Sequence, residues 1–387
     1  VKPSRDLSGV TLAAFYFCWI AAVGAFGPFL AGYLDARGLS PRAVAWLLAV
    51  MPLVRVVVTP AWTYLADLLR APTLTLRIVC VGALVAFVGV AHSAHPVPIA
   101  LTLCLYTAFR APVGALSDAV CLAWAERTGG AFGRVRAWGS LGYLLATLGI
   151  ANLLQRLGHG FTLGLTLVLL GLGAACTFAL PAAPPRPTAS LWHAFRRLVA
   201  TGAVRRVLLA GSLQQMGLAP YDALYPTWML HRAGGLWTGA SIALGVVCEI
   251  AVMVWARPWL ARVGVRRALL LSFGAAALRW AVTALVPSIA AVSLVQCLHG
   301  LAFGLYFVAA VEALDRAAPD DVRASAQGVH YTVVFGAGPS LALGLAGALG
   351  GLGAMRAIFL TAAAASVLAG WAVWALPPHL RTDKTSD

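Results

Sequence analysis

Arg55, Arg110 and Arg279 lie where a charge is least welcome, each near the centre of a long apolar run, and Glu249 and His299 sit at similar depth in two others. A charge at the middle of a bilayer costs about 2.5–3.5 kcal/mol on insertion scales, so such residues pair with one another or line a polar cavity. Asp118, Asp222 and Glu312 fall nearer the ends of their runs. Arg110 and Asp118 are eight residues apart, about 12 Å along a helix axis. A buried pair that only locks helices together could use these residues, and so could a polar site for a solute. Five ionisable groups at one depth, from five runs, favour the solute site, because transporters bind their cargo near the bilayer midplane.

The elements that must position these groups are apolar helices. Of 387 residues, 61% are hydrophobic and only 11% charged, against about a quarter charged in soluble domains. Apolar runs of about 20 residues or more, long enough to cross a bilayer, recur at 10–33, 43–66, 75–93, 97–125, 135–154 and 161–181, then at 204–230, 237–256, 267–287, 289–313, 326–349 and 354–376. The pattern predicts an all-α membrane protein of twelve transmembrane helices in two pseudo-symmetric six-helix bundles. The bundles are expected over 1–181 and 204–387, the second including a tail. The 182–203 segment between them reads as a cytoplasmic linker. Prolines at 181, 184, 185 and 187 stop the sixth helix, and 190–199 can form a short amphipathic helix at the interface. A shift of 194 residues lays Arg55 on Glu249 and Asp118 on Glu312, which agrees with two repeated halves.

The net charge of +15 does not mark a nucleic-acid binder, since the basic residues sit in short turns rather than in a basic domain. With the N-terminus inside, 20 of the 28 Lys and Arg residues fall in cytoplasmic turns and tails, and only Arg37, Arg42, Arg156, Arg232 and Arg356 fall outside. The positive-inside rule then places both termini in the cytoplasm. The start VKPSRD precedes a long hydrophobic run without a small-residue cleavage site, so no cleaved signal peptide is expected.

Other chemistry is poorly supported. Seven cysteines are scattered singly, without a CxxC pair, so neither disulfides nor a metal site is expected. Neither HExxH nor a GxSxG elbow is present, so no enzyme and no cofactor is expected. The only lysines are Lys2 and Lys384. A Walker A loop needs an internal lysine, which leaves ion coupling or simple facilitation as the energy source. Buried carboxylates with a buried histidine favour protons. Tyr221, Asp222 and Tyr225 share a stretch with Gln214 and Gln215 that could line a cavity, and Trp138 and Trp280, each close to an arginine, could stack on a ring.

These residues carry a resemblance. The chain resembles the major facilitator superfamily, in the branch of lactose permease, nucleoside–proton symporters and phenylpropionate permeases. AFGRVRAWGSLGY (131–143) is similar to the start of that permease's fifth helix, with Arg136 in the place of its sugar-binding arginine and Asp118, eighteen residues earlier, in that of the partnering glutamate. Arg279 in LRW and His299 in CLHG take the places of the ninth-helix arginine and tenth-helix histidine, and Glu249 in VVCEI that of an eighth-helix glutamate tied to substrate and proton. TYLADLLR keeps Asp67 and Arg70 of the superfamily's gate motif, with Thr63 for its glycine. Ala302 stands where the permease has a carboxylate and Gln296 where it has a lysine, so the proton must be carried elsewhere. Glu249 is the expected carrier, tuned by Arg279 and His299, with Asp118, Asp222 and Glu312 as alternatives.

The resemblance implies a secondary active transporter of a small polar or aromatic solute (sugar, nucleoside or aromatic acid), working by alternating access as a proton symporter. A proton-coupled efflux antiporter is the alternative. The expected setting is the bacterial inner membrane, with solute, protons and lipid as partners and a monomer as the working form. The solute-facing residues are expected to be Arg110, Asp118, Arg136, Trp138, Tyr221, Asp222, Tyr225, Glu249, Arg279 and His299. Arg55 and Glu312 are further intramembrane charges.

Overall fold

The computed structural model describes residues 7–93, 95–129, 132–180, 182, 191–319 and 322–376, without the side chains of 7, 67, 132–133, 191–194, 254–258, 261, 323–325 and 327. Regular structure among the described residues is helical throughout. In chain order the α-helices are α1 (Leu7–Phe26), α2 (Leu30–Ala36), α3 (Pro41–Leu68), α4 (Pro72–His92), α5 (Pro96–Arg110), α6 (Val113–Thr128), α7 (Phe132–Phe178) and α8 (Leu191–Ala200). They continue as α9 (Gly202–Val263), α10 (Val265–Leu285), α11 (Ile289–Leu294), α12 (Tyr306–Ala317), α13 (Arg323–Thr332), α14 (Gly338–Leu349) and α15 (Met355–Trp374).

Ten stretches among the described residues are long and apolar enough to cross a membrane. Two of the ten are double. Gly158 (φ 69, ψ 179) divides α7 and Gly234 (φ 79, ψ 175) divides α9, in a backbone region open essentially to glycine alone. Each half is long enough to span, so the described chain holds the twelve expected crossings. The fourth crossing, Pro96–Thr128, is one span with a local break. Pro112 lacks an amide hydrogen, which interrupts the helical hydrogen bonding at 111–112, yet both residues keep right-handed helical dihedrals and α5 runs on into α6. Arg110 lies near the middle of this span, as expected.

The chain forms two compact units. One comprises Val1–Ser40, Leu53–Thr188 and Gly234–Gly239, the other Pro41–Pro52, Ala189–Ala233 and Ala240–Asp387. In the first unit α1 packs most extensively on α7. That crossing is close because it is lined by glycine: a side chain at Gly24 would strike the Tyr143 carbonyl, and one at Gly142 the Phe17 carbonyl. Thr147 Oγ1 then donates to the Gly24 carbonyl at 3.0 Å. Arg77, one of the residues counted for topology, has a structural task as well. Its Nε donates to the Thr177 carbonyl at 2.8 Å, capping the end of α7 with a cation.

The second unit is built on α10 and α15, with a core of Phe273, Tyr306, Ala309, Ala310, Ala313 and Val373. The linker helix α8 does more than rest at an interface. Leu198 is fully buried in this core and Phe195 and Val199 pack on its margin, while Arg196 and Arg197 point outward. Two π-helical turns interrupt the tenth and eleventh crossings, at Gly300–Leu305 and Val333–Ala337. Such turns disturb the regular backbone hydrogen bonding and recur at functional sites. Here the freed acceptor is used: Gln214 Nε2 donates to the Ala302 carbonyl at 2.7 Å.

Candidate functional site

The second unit gathers Arg279, His299 and Glu249 into one chain of hydrogen bonds. Arg279 Nη1 lies 2.9 Å from His299 Nδ1, and His299 Nε2 lies 3.1 Å from Glu249 Oε2. A guanidinium only donates, so His299 Nδ1 must accept. The imidazole proton is thereby fixed on Nε2, which donates to Glu249. A proton on both ring nitrogens would set N–H against N–H and break the arginine contact. A proton on the free oxygen of Glu249 disturbs neither bond.

Arg279 is fully buried, yet it is held on every side. Its Nε donates to Gln296 Oε1 at 2.8 Å. Its guanidinium carbon stands 4.1 Å from the Tyr221 ring centroid and 4.2 Å from that of Trp280. Nη2 alone is without a partner among the described residues. Gln296, which replaces a cation of the resembling permease, is fully buried and turns its carbonyl oxygen to the guanidinium, where a lysine would repel it. Trp280 is fully buried too, with Arg279 beside one ring and Phe359 stacked at 5.4 Å. It therefore offers no face to a solute ring. Tyr225 is likewise buried and donates to Ser241 at 3.1 Å. It supports Tyr221, from which its ring lies 4.7 Å away. Asp222 is exposed, within electrostatic reach of both Arg279 and Glu249.

Glycines set the reach of this relay. A side chain at Gly300 would come within 2.5 Å of the Cys248 carbonyl and 3.0 Å of Val252, and one at Gly304 within 3.2 Å of the Glu249 carbonyl. Only their absence lets the eighth and tenth crossings approach closely enough for His299 to meet Glu249. We expect Gly300→Val to lower the thermal midpoint of the purified protein, because overpacking costs about 1–3 kcal/mol. The same variant should lose proton-driven accumulation. An unchanged melting curve with unchanged accumulation would show that the two helices do not approach this closely.

The first unit holds a second, smaller cluster. Tyr16 donates to Asp118 Oδ1 at 2.7 Å, and the Arg136 guanidinium stands 5.4 Å from the Tyr16 ring centroid. Asp118 and Arg136 were expected to interact across the fourth and fifth crossings. Arg136 acts on Asp118 through space, no ion pair joins them among the described residues, and both engage Tyr16. Gly139 leaves the room that the Arg136 guanidinium occupies. Tyr16 was not foreseen, since a tyrosine in AAFYFCW has no polar neighbour in sequence to mark it.

Arg110 is half-buried, with no hydrogen-bond or ion-pair partner among the described residues. Trp138 is half exposed (50%). Arg55 is exposed and also engaged with a neighbour. Glu312 is no isolated charge, because it pairs with Arg316 at 2.7 Å on the same exposed helix face. Of the expected gate pair, the Asp67 side chain lies outside the described residues. Arg70 is exposed in a left-handed conformation (φ 50) at the end of α3. No group of three or more His, Cys, Asp or Glu side chains able to hold a metal occurs among the described residues.

Twelve apolar crossings in two units, with Arg279 fully buried in the second and Arg110, Asp118 and Arg136 half-buried in the first, define a polytopic membrane protein. The chain belongs to the MFS_1 like family, whose model matches residues 10–361. It is a secondary transporter of the major facilitator class. It is 28% identical over 328 residues to a maltose permease of Geobacillus stearothermophilus, covering 84% of this chain and 83% of that one. It is 26% identical over 316 residues to a probable 3-phenylpropionic acid transporter of Escherichia coli (strain K12), covering 78% and 80% respectively. Among solved structures, that of the nucleoside transporter NupG has the same fold, with a TM-score of 0.84 at 17% identity, covering 95% of this chain and 98% of that one.

Proposed function

We propose that this protein is a proton symporter that imports a small aromatic or polar acid by alternating access, with Glu249 as the proton carrier. The observation that carries the reading is the His299 relay. It ties the buried charge of Arg279 to a carboxylate that can gain or lose a proton without breaking either contact. The Glu249 side chain is 21% exposed and that of His299 only 10%, so water reaches the carboxylate more readily than the ring.

Charge balance supports the acid. Along the apolar spans of the first unit, arginines (55, 77, 110, 127, 134, 136 and 156) outnumber the acids Asp35, Asp118 and Glu126, and Arg110 is unpaired among the described residues. The relatives' names span a neutral sugar and an aromatic acid. An excess of guanidinium favours the acid, because arginine binds carboxylates with paired hydrogen bonds. Trp138, beside Arg136 in sequence and half exposed, supplies a ring surface. The setting that fits the basic-residue distribution is a bacterial inner membrane with both termini cytoplasmic and with Asp67 and Arg70 at a cytoplasmic gate. Nothing in the site requires a second copy of the chain.

The test is uptake into proteoliposomes under an imposed inward pH difference, comparing labelled 3-phenylpropionate with maltose. Accumulation of the acid that collapses with the pH difference is expected. Arg110→Gln should weaken acid binding roughly tenfold or more, the usual worth of a charge-assisted hydrogen bond. Uptake of maltose alone would overturn the substrate class. Solute extrusion driven by proton entry would replace the symporter with the efflux antiporter.

A further inference from the structure

A cavity of about 410 Å³ opens in the second unit, at the far end of its helices from α8. Its walls come from three places in the chain: Trp228 and Arg232 of α9, Thr283–Pro287 at the end of α10, and Leu352–Arg356 at the start of α15. No acidic residue lines it. Arg232 is pre-set there, with Nη2 donating to the Pro287 carbonyl at 2.8 Å and its guanidinium 5.3 Å from the Trp228 ring centroid. Its remaining donors are left for another acceptor. Arg356 is exposed and has no hydrogen-bond or ion-pair partner among the described residues. Helix α15 begins beside it at Met355 with no side chain capping its first amides, which adds the positive end of a 20-residue helix to the same opening.

We propose that this cavity binds a phosphate-type oxyanion, supplied by a phospholipid headgroup or by a free phosphate group. Topology makes the placement significant. Positive residues are disfavoured on the outer side of a membrane protein, and only five of this chain's 28 are read as lying there. Two of the five meet in this one cavity. Between them a tetrahedral anion receives donors from two guanidinium groups and from the start of a helix. Leu285, Val286, Leu352 and Met355 beside it give an apolar wall on which the glycerol end of a lipid can lie. Arg232 and Arg356 take no part in the Arg279 relay, which the cavity touches only through Thr283, so the failure of this site and that of the transport reading are distinguishable.

The experiment compares the full-length protein with Arg356→Gln and with the Arg232→Gln/Arg356→Gln double variant. Arg356 is exposed and unpartnered, so the single variant keeps the fold and serves as the control against misfolding. Each protein is reconstituted in nanodiscs of phosphatidylglycerol or of phosphatidylcholine, and retained lipid is counted by native mass spectrometry. A parallel arm titrates inorganic phosphate against the detergent-purified protein and follows its thermal midpoint. Retention of phosphatidylglycerol by the parent, weakened roughly tenfold in Arg356→Gln and insensitive to phosphate, identifies the headgroup as the source. Phosphate-dependent stabilisation lost in the variants, without lipid retention, identifies a free anion. Equal behaviour of parent and both variants in every arm, or no binding by the parent in any, overturns the proposal.

Discussion

Glu249→Gln ends accumulation of solute driven by an imposed pH difference, while exchange of labelled for unlabelled solute between equal pools continues. The amide keeps the size of the side chain and can still accept from His299 Nε2, so the 3.1 Å contact persists. What disappears is the ability to change charge. In the parent the carboxylate balances Arg279 through a neutral imidazole, and a proton on Glu249 leaves the buried guanidinium without that balance. Asp222 is a further carboxylate within electrostatic reach of both groups. In the proposed mechanism, loading and release of the proton alter how strongly Arg279 is held in the second unit, and this change of hold is the proposed link between proton movement and helix packing. If Glu249→Gln still concentrates solute in response to a pH difference, the carrier lies elsewhere, and Asp222 or Asp118 takes its place.

Arg279→Lys inactivates transport nearly as fully as removal of the charge. A lysine keeps the positive charge but places it at a single point. The native guanidinium makes two directed bonds, to Gln296 and His299, and stands beside two aromatic rings at 4.1 and 4.2 Å. An ammonium cannot match this planar fork or its stacking. Each lost charge-assisted hydrogen bond costs about 1.5–3 kcal/mol, and Gln296 is left with a buried oxygen to satisfy. A drop of roughly 100-fold in the initial uptake rate is expected, with the protein still monodisperse on size-exclusion chromatography. A Lys variant that transports within a few fold of the parent would show that charge alone suffices at this position.

The same residues show where reading from sequence succeeds and where it stops. Membrane crossings are legible because lipid imposes one requirement on every residue of a span, and a window of apolar residues meets or fails it locally. The twelve runs were therefore visible, even where the helix continues through Gly158 and Gly234 with a single glycine breaking it. Buried charges were visible for the same reason, since each one violates the pattern around it. Arg279, His299 and Glu249 could be picked out singly, although 30 residues separate the glutamate from the arginine and 20 more lead to the histidine.

What joins these charges is set by distances across helices, and no local pattern encodes those. Asp118 and Arg136 look like partners in sequence, but a tyrosine from α1 takes the carboxylate's hydrogen bond. Trp280 looks available to a ring and is instead sealed between Arg279 and Phe359. Glu312 looks like a lone intramembrane acid until Arg316 is found one turn away on an exposed face. The sequence by itself determined the class, the number of crossings and the list of charged groups, though not Tyr16, because burial in lipid constrains residues one at a time. Which of those groups meet, and which nitrogen of His299 holds the proton, was decided only by tertiary structure. Glycine-lined crossings such as Gly300 against Cys248 fix the separations, and hydrogen bonds change within tenths of an ångström.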